Sequence, residues 1–149
     1  MTPEREVSPS FSPDGRFVAY RSDESGRPEV YVRPYPGPGP RHLVSTQGGN
    51  MPLWSRNGRE TFFVSGGALV SASVRTTPAF ASEAPRRLFD LPDEILWGFG
   101  FYDAAPDGQR FVMIEKDPVE LRPLGLVIVP NWTEELRARM AAAGNASRR

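Results

Sequence analysis

Phe11-Ser12-Pro13-Asp14-Gly15-Arg16-Phe17-Val18-Ala19-Tyr20 is the stretch that decides the fold: an aromatic residue, a polar reversal centred on Asp-Gly, then a β-rich run. Asp-Gly and Asn-Gly tolerate positive φ at a tight reversal, so the flanking residues are expected to pair as a hairpin. The pattern returns as Trp54-Ser55-Arg56-Asn57-Gly58-Arg59-Glu60-Thr61-Phe62-Phe63, with Asn-Gly replacing Asp-Gly. It returns again as Asp103-Ala104-Ala105-Pro106-Asp107-Gly108-Gln109-Arg110-Phe111-Val112. Gly15, Gly58 and Gly108 lie 43 and 50 positions apart, the spacing of a four-stranded repeat unit.

A third strand is expected after each hairpin, at Val30-Tyr31-Val32, Leu69-Val70-Ser71-Ala72-Ser73-Val74 and Leu126-Val127-Ile128-Val129. A short fourth strand follows in two copies, Arg41-His42-Leu43-Val44 and Arg86-Arg87-Leu88-Phe89, each led by a basic residue suited to an exposed edge. The run Pro34-Tyr35-Pro36-Gly37-Pro38-Gly39-Pro40 is read as a wide turn between third and fourth strands, because Arg75-Thr76-Thr77-Pro78 occupies the same place in the next copy. The third copy turns instead at Pro130, and Asn131 with the acids and arginines that follow suits a short helix. The expected architecture is all-β: a partial β-propeller of about three four-stranded antiparallel blades with a short C-terminal helix. The propeller spans 1–140, with blades near 7–46, 47–92 and 97–130, a helix at 131–140, and a flexible tail at 141–149.

Composition narrows the function classes. Eighteen basic residues balance eighteen acidic ones and are spread along the chain, so no stripe exists to track a phosphate backbone, and nucleic acid is not expected as a partner. No window approaches eighteen consecutive apolar residues and the N-terminus is charged, so neither membrane insertion nor a signal peptide is expected in this frame. The compartment stays open: cytoplasmic by default, extracytoplasmic if the chain belongs to a longer receptor-like protein. With no cysteine, disulfides and thiolate chemistry are excluded.

Ser12-Pro13-Asp14-Gly15-Arg16-Phe17-Val18-Ala19-Tyr20-Arg21-Ser22, followed by Glu29-Val30-Tyr31-Val32, resembles the W-S-P-D-G-x-x-I-A-F-x-S … I-Y repeat of TolB-like, WD-repeat-like propellers. The ending Ile128-Val129-Pro130-Asn131-Trp132-Thr133-Glu134-Glu135-Leu136 is similar to the last residues of bacterial serine/threonine protein kinases that carry such a propeller. Together the likeness runs from about Val7 to Leu136. It implies a fold and, more weakly, a binding or sensing role. The sequence departs from the pattern at Arg56-Asn57, where Pro-Asp is usual, and at Ala104-Ala105, where Trp-Ser is usual. Kinase activity is not carried over, since no Gly-rich loop, His-Arg-Asp loop or Asp-Phe-Gly is present and the only lysine is Lys116.

No residues assemble into catalytic chemistry. His42 is the only histidine and is expected on a solvated edge strand, and no Gly-x-Ser-x-Gly elbow occurs. Asp14 and Asp107 are accounted for by their turns, and Gly48-Gly49 and Gly66-Gly67 read as turns, since no Lys-Ser/Thr follows to make a phosphate cradle. No catalytic residue, metal ligand or cofactor is expected. Phe11, Trp54 and Phe111, with Phe62 or Phe63, are assigned to the core between blades. The dense run Trp97, Phe99, Phe101 and Tyr102 either enters the third blade or lines a rim.

Three blades leave two open faces, so the chain is expected to be a fragment of a longer TolB-like protein or to self-associate. Partner contacts are expected on the loops linking blades, at Gln47, Asn50 and Met51 and at Glu94, Trp97 and Phe99. The expected function is a non-catalytic protein-interaction or ligand-sensing module with a protein or peptide as ligand. The alternative is the non-catalytic C-terminal portion of an enzyme, a serine/threonine protein kinase or a propeller-gated peptidase.

Overall fold

Three antiparallel sheets follow one another along the chain in this computed structural model, which describes residues 5–92, 101–115 and 125–129. The first is β1 (Glu6–Phe11), β2 (Phe17–Ser22), β3 (Glu29–Pro34) and β4 (His42–Leu43), paired in chain order. The second holds β5 (Asn50–Trp54), β6 (Glu60–Ser65), β7 (Ala68–Arg75), β8 (Ala81–Ser82) and β9 (Arg86–Asp90). The third has β10 (Tyr102–Ala104), β11 (Phe111–Glu115) and β12 (Gly125–Val129). The expected helix at 131–140 and the tail at 141–149 lie outside the described residues.

The three reversals are one loop built three times. Gly15, Gly58 and Gly108 take φ of 69°, 70° and 66°, a left-handed conformation that disfavours a side chain. In each turn the glycine N–H donates back to the residue three before it, Ser12, Ser55 or Ala105, at 2.8 to 3.0 Å. The Asp14, Asn57 and Asp107 side chains each accept the backbone N–H two residues on, at 3.1, 2.9 and 2.9 Å. This local bond favours Asp and Asn at turns. The sequence motif therefore marks equivalent positions in successive sheets.

The second sheet has a strand the sequence reading did not anticipate. β8 pairs the far end of β7 at Val74 and Arg75, and β9 pairs its near end from Ala68 to Ser71, so two short strands share one outer edge. The expected turn at 75–78 and the expected fourth strand both exist, and β8 is inserted between them.

Register decides which face each residue serves, since residues paired across strands share a face and neighbours along a strand alternate. From the first sheet, Phe17, Ala19, Val30 and Val32 face the second and bury against Trp54, Phe63, Val70, Ala72 and Val74. From the second, Phe62, Val64, Leu69 and Leu88 face the third and bury against Tyr102, Ala104, Phe111 and Met113. Phe62 and Phe63 are adjacent in sequence and point to opposite neighbours, at 1% and 0% exposure. Burying a side chain of that size stabilises by roughly 1.5 to 3 kcal/mol.

A positional rule follows. The fourth residue before the turn glycine and the third and fifth after it meet the preceding sheet: Trp54, Thr61 and Phe63, then Ala104, Phe111 and Met113. In the first sheet those positions are Phe11, Val18 and Tyr20, and among the described residues no other sheet packs on them.

Candidate functional site

Glu29 opens β3 and is 2% exposed, an unusual burial for a carboxylate. It accepts a hydrogen bond from the Ser45 hydroxyl, one from the Gly48 N–H at 3.1 Å, and one from Arg27 Nε at 2.5 Å. Ser45 Oγ in turn accepts from the Val30 N–H at 2.8 Å. The carboxylate thus anchors the linker from the first sheet to the second. Gly49 lies against the core so closely that a Cβ there would stand 2.8 Å from Val30 Cγ2 and 3.1 Å from Phe63. A buried Glu ahead of an apolar strand is a sequence signal for such an anchor, and the reading of interaction loops passed over it.

This linker carries three of the expected interaction residues. Gln47 is exposed, whereas Asn50 and Met51 are half-buried at the start of β5. Met51 has φ of 54° at a break in the β5–β6 register, and its carbonyl accepts from Tyr102 Oη at 2.7 Å. Its side chain packs on the core between the second and third sheets. Ser8, with φ of 56°, sits at the matching register break in β1. A non-glycine residue in this region carries strain, here at the same position of two successive sheets. Glu94, Trp97 and Phe99 lie outside the described residues. Phe101 and Tyr102, grouped with them in sequence, are buried against the second sheet.

The uncovered face of the first sheet is the other surface of note. Among the described residues, the exposed large apolar side chains are Phe11, Tyr35 and Leu43, at 53%, 51% and 51%. All three lie on this one face: Phe11 is paired with Val18, Leu43 with Tyr31, and Tyr35 continues the alternation of Tyr31 and Arg33. The Phe11 and Tyr35 rings meet edge to face at 5.0 Å, and Tyr20 stacks on Tyr31 at 6.0 Å. A groove of about 530 Å³ runs between them, lined by Val7, Val18, Tyr20, Arg33 and Tyr35, with Glu6 at its margin. Tyr20 is 4% exposed and its hydroxyl is buried without a partner among the described residues. Burial, reinforced by the Glu6 charge, pushes that phenol above its ordinary range.

Two expectations are corrected here. Phe11, assigned to the core between blades, is half exposed because its position is one that packs on a neighbouring sheet, and among the described residues no sheet lies on that side of the first. His42, expected to be solvated, is turned inward by its pairing with Val32 and packs on Phe80 at 4.8 Å between ring centres. Trp54, Phe62, Phe63 and Phe111 are buried between sheets as expected. Among the described residues, no group of three or more His, Cys, Asp or Glu side chains is placed to hold a metal ion, and no helix is long and apolar enough to cross a membrane.

No family model matches this chain. Solved structures do. Oligogalacturonate lyase from Vibrio parahaemolyticus aligns at 19% identity and a TM-score of 0.55, over 76% of this chain and 29% of the lyase. A putative TolB from Agrobacterium tumefaciens aligns at 21% identity and a TM-score of 0.53, over 81% of this chain and 42% of that protein. The chain therefore spans less than half the length of the proteins it resembles. At these identities the likeness establishes the fold, a TolB-like β-propeller arrangement of blades, in agreement with the repeat motif. Of the ending that resembles kinase-linked propellers, only Ile128 and Val129 fall in a described strand.

Proposed function

We propose, on the premise that these sheets are a stretch of TolB-like propeller, that the chain is a non-catalytic interaction module. Its uncovered first face is completed by a further sheet of the same kind within a larger ring, and its linker end meets a protein or peptide. The observation that carries this reading is the placing of Phe11, Tyr35 and Leu43 together on a face whose counterparts in the second and third sheets are buried. Contiguous apolar surface that repeats the composition of a packed interface marks an association site. The span of under half of each similar structure supports the same reading.

Size-exclusion chromatography with light scattering over a concentration series, paired with an apolar fluorescent dye, tests it. The chain alone is expected to bind dye and to self-associate as concentration rises. Phe11→Ser, Tyr35→Ser and Leu43→Ser combined should reduce both while leaving the circular dichroism spectrum unchanged. A wild-type chain that stays monomeric and binds no dye refutes the open-face reading. Turnover of oligogalacturonate by this polypeptide refutes the non-catalytic one.

A further inference from the structure

The second reversal differs from its two siblings in carrying an amide, and Asn57-Gly58 is the only Asn-Gly pair in the sequence: Asn50, Asn131 and Asn145 precede Met, Trp and Ala. An asparagine amide is open to a reaction that an ionised aspartate is not, which makes the residue thermolabile. The backbone nitrogen of the next residue attacks Cγ, so that an N–Cγ bond forms and the Cγ–Nδ2 bond breaks. Nδ2 leaves as ammonia, taking the proton of that nitrogen, and a five-membered imide remains. Water then opens the ring. Cleavage of the new N–Cγ bond gives aspartate, whereas cleavage of the original peptide bond gives isoaspartate, in which the chain runs through the side-chain carbon. Nothing is oxidised or reduced, and water is the only co-reactant. Glycine after the asparagine makes the step easiest, since no Cβ hinders the approach of its nitrogen.

Asn57 is exposed, so water reaches it, and what holds the reaction off is bonding. The Gly58 N–H, whose proton must leave, donates to the Ser55 carbonyl at 3.0 Å. Asn57 Oδ1 accepts from the Ser55 hydroxyl and the Arg59 N–H, both at 2.9 Å, which fixes the plane of the amide. The Ser55 hydroxyl oxygen is tied in turn to the start of β6, accepting from the Glu60 N–H at 3.0 Å. Hydrogen bonds to Oδ1 also draw charge from Cγ, but the nitrogen cannot attack while its own proton is held in the turn. The first effect therefore decides.

From this geometry we infer that Asn57-Gly58 is a latent self-modification site. The closed reversal keeps it as asparagine, and local opening of the turn frees the Gly58 nitrogen to convert it to aspartate or isoaspartate. Either product adds one negative charge to the turn end of the second sheet. The aspartyl product has its precedent in the first turn, where Asp14 Oδ1 accepts from the Ser12 hydroxyl at 2.6 Å and the Arg16 N–H at 3.1 Å. The isoaspartyl product adds a carbon to the backbone inside the turn and so displaces Gly58 from the Ser55 carbonyl. The site stands independently of the open face on the first sheet.

Peptide mapping by mass spectrometry of the full chain, incubated at mildly alkaline pH either folded or unfolded in urea, tests the inference. The folded chain should deamidate at Asn57 about tenfold or more slower than the unfolded one, a comparison that needs no variant. Ser55→Ala releases Oδ1 and should raise the folded-state rate about fivefold. Ser12→Ala removes the sibling hydroxyl from the first turn and should leave the rate at Asn57 within about twofold of wild type. Equal rates in the folded and unfolded chains overturn the protection, as does a Ser55→Ala chain that reacts no faster. Equal acceleration by Ser12→Ala makes global unfolding the route and overturns local opening. Absence of conversion at Asn57 in the unfolded chain overturns the site itself.

Discussion

Replacing Glu29 with glutamine changes one atom and removes the anchor of the first linker. Two linker donors, the Ser45 hydroxyl and the Gly48 N–H, converge on the carboxylate. The Ser45 oxygen already accepts from Val30, so its proton is committed to Glu29. Both of these bonds fall on Oε2 while Arg27 Nε takes Oε1, so a glutamine keeps one neutral acceptor oxygen for the two linker donors and turns its NH₂ towards the Arg27 guanidinium, donor against donor. The two linker bonds lose their charge assistance, falling from about 1.5 to 3 kcal/mol each to about 0.5 to 1.5 for a bond between neutral groups. Relief of the desolvation of a buried carboxylate offsets part of this. The Arg27 pair adds little, because that side chain is 59% exposed. The net expectation is a loss of about 2 kcal/mol, which lowers the melting temperature by roughly 4 to 8 °C in a domain of this size. Urea unfolding should show the midpoint moving with an unchanged slope. Ser45→Ala and the double variant complete a cycle in which the two losses should not add. A Glu29→Gln protein within about 0.5 kcal/mol of wild type, a surface-like effect, or strict additivity with Ser45→Ala, would refute the assignment of Glu29 as an anchor.

The packing rule predicts a contrast between equivalent aromatic positions. Trp54→Ala, at a buried site between sheets, should cost about 3 to 5 kcal/mol in urea unfolding, while Phe11→Ala on the uncovered face should cost about 0.5 kcal/mol or less. The first reversal predicts an acid-range effect. The Ser12 hydroxyl, followed by the Arg16 N–H, holds Asp14 at about 2, below its ordinary 3.8. Since the folded state favours the ionised form, this stabilisation is full above the ordinary value and is lost as pH falls through about 2. Asp14→Asn should lack that component, so the gap between it and wild type narrows as thermal melts are taken from neutral pH towards pH 2.

The repeat was legible because its turn chemistry is local. Asp-Gly and Asn-Gly state a backbone conformation that neighbours need not supply, and all three instances take it. Burial of Trp54, Phe62, Phe63 and Phe111 was legible for a related reason, since alternation from a known turn assigns faces. The exposure of Phe11 was not, because it depends on a neighbouring sheet and not on any property of the segment itself. His42 was misjudged by its polarity: the strand pairing, set by Val32 and Tyr31, turns it inward. β8 rests on two paired residues and has too little sequence to announce it. Of the first linker, its place between sheets was legible and its anchor was not, since Glu29 gains its role from Ser45 and Gly48 across the loop.

Because each sheet offers one set of side chains forward and a different set backward, the stack has a head and a tail. Its uncovered face cannot be matched to itself by a two-fold axis in the way its internal interfaces are matched. Copies joined through it would add in one direction, and such growth ends only when the accumulated rotation brings the last sheet round to the first. A closed circle and an endless fibre therefore differ by the angle between neighbouring sheets, a quantity fixed by the size of residues such as Phe62 and Phe63 wedged between them.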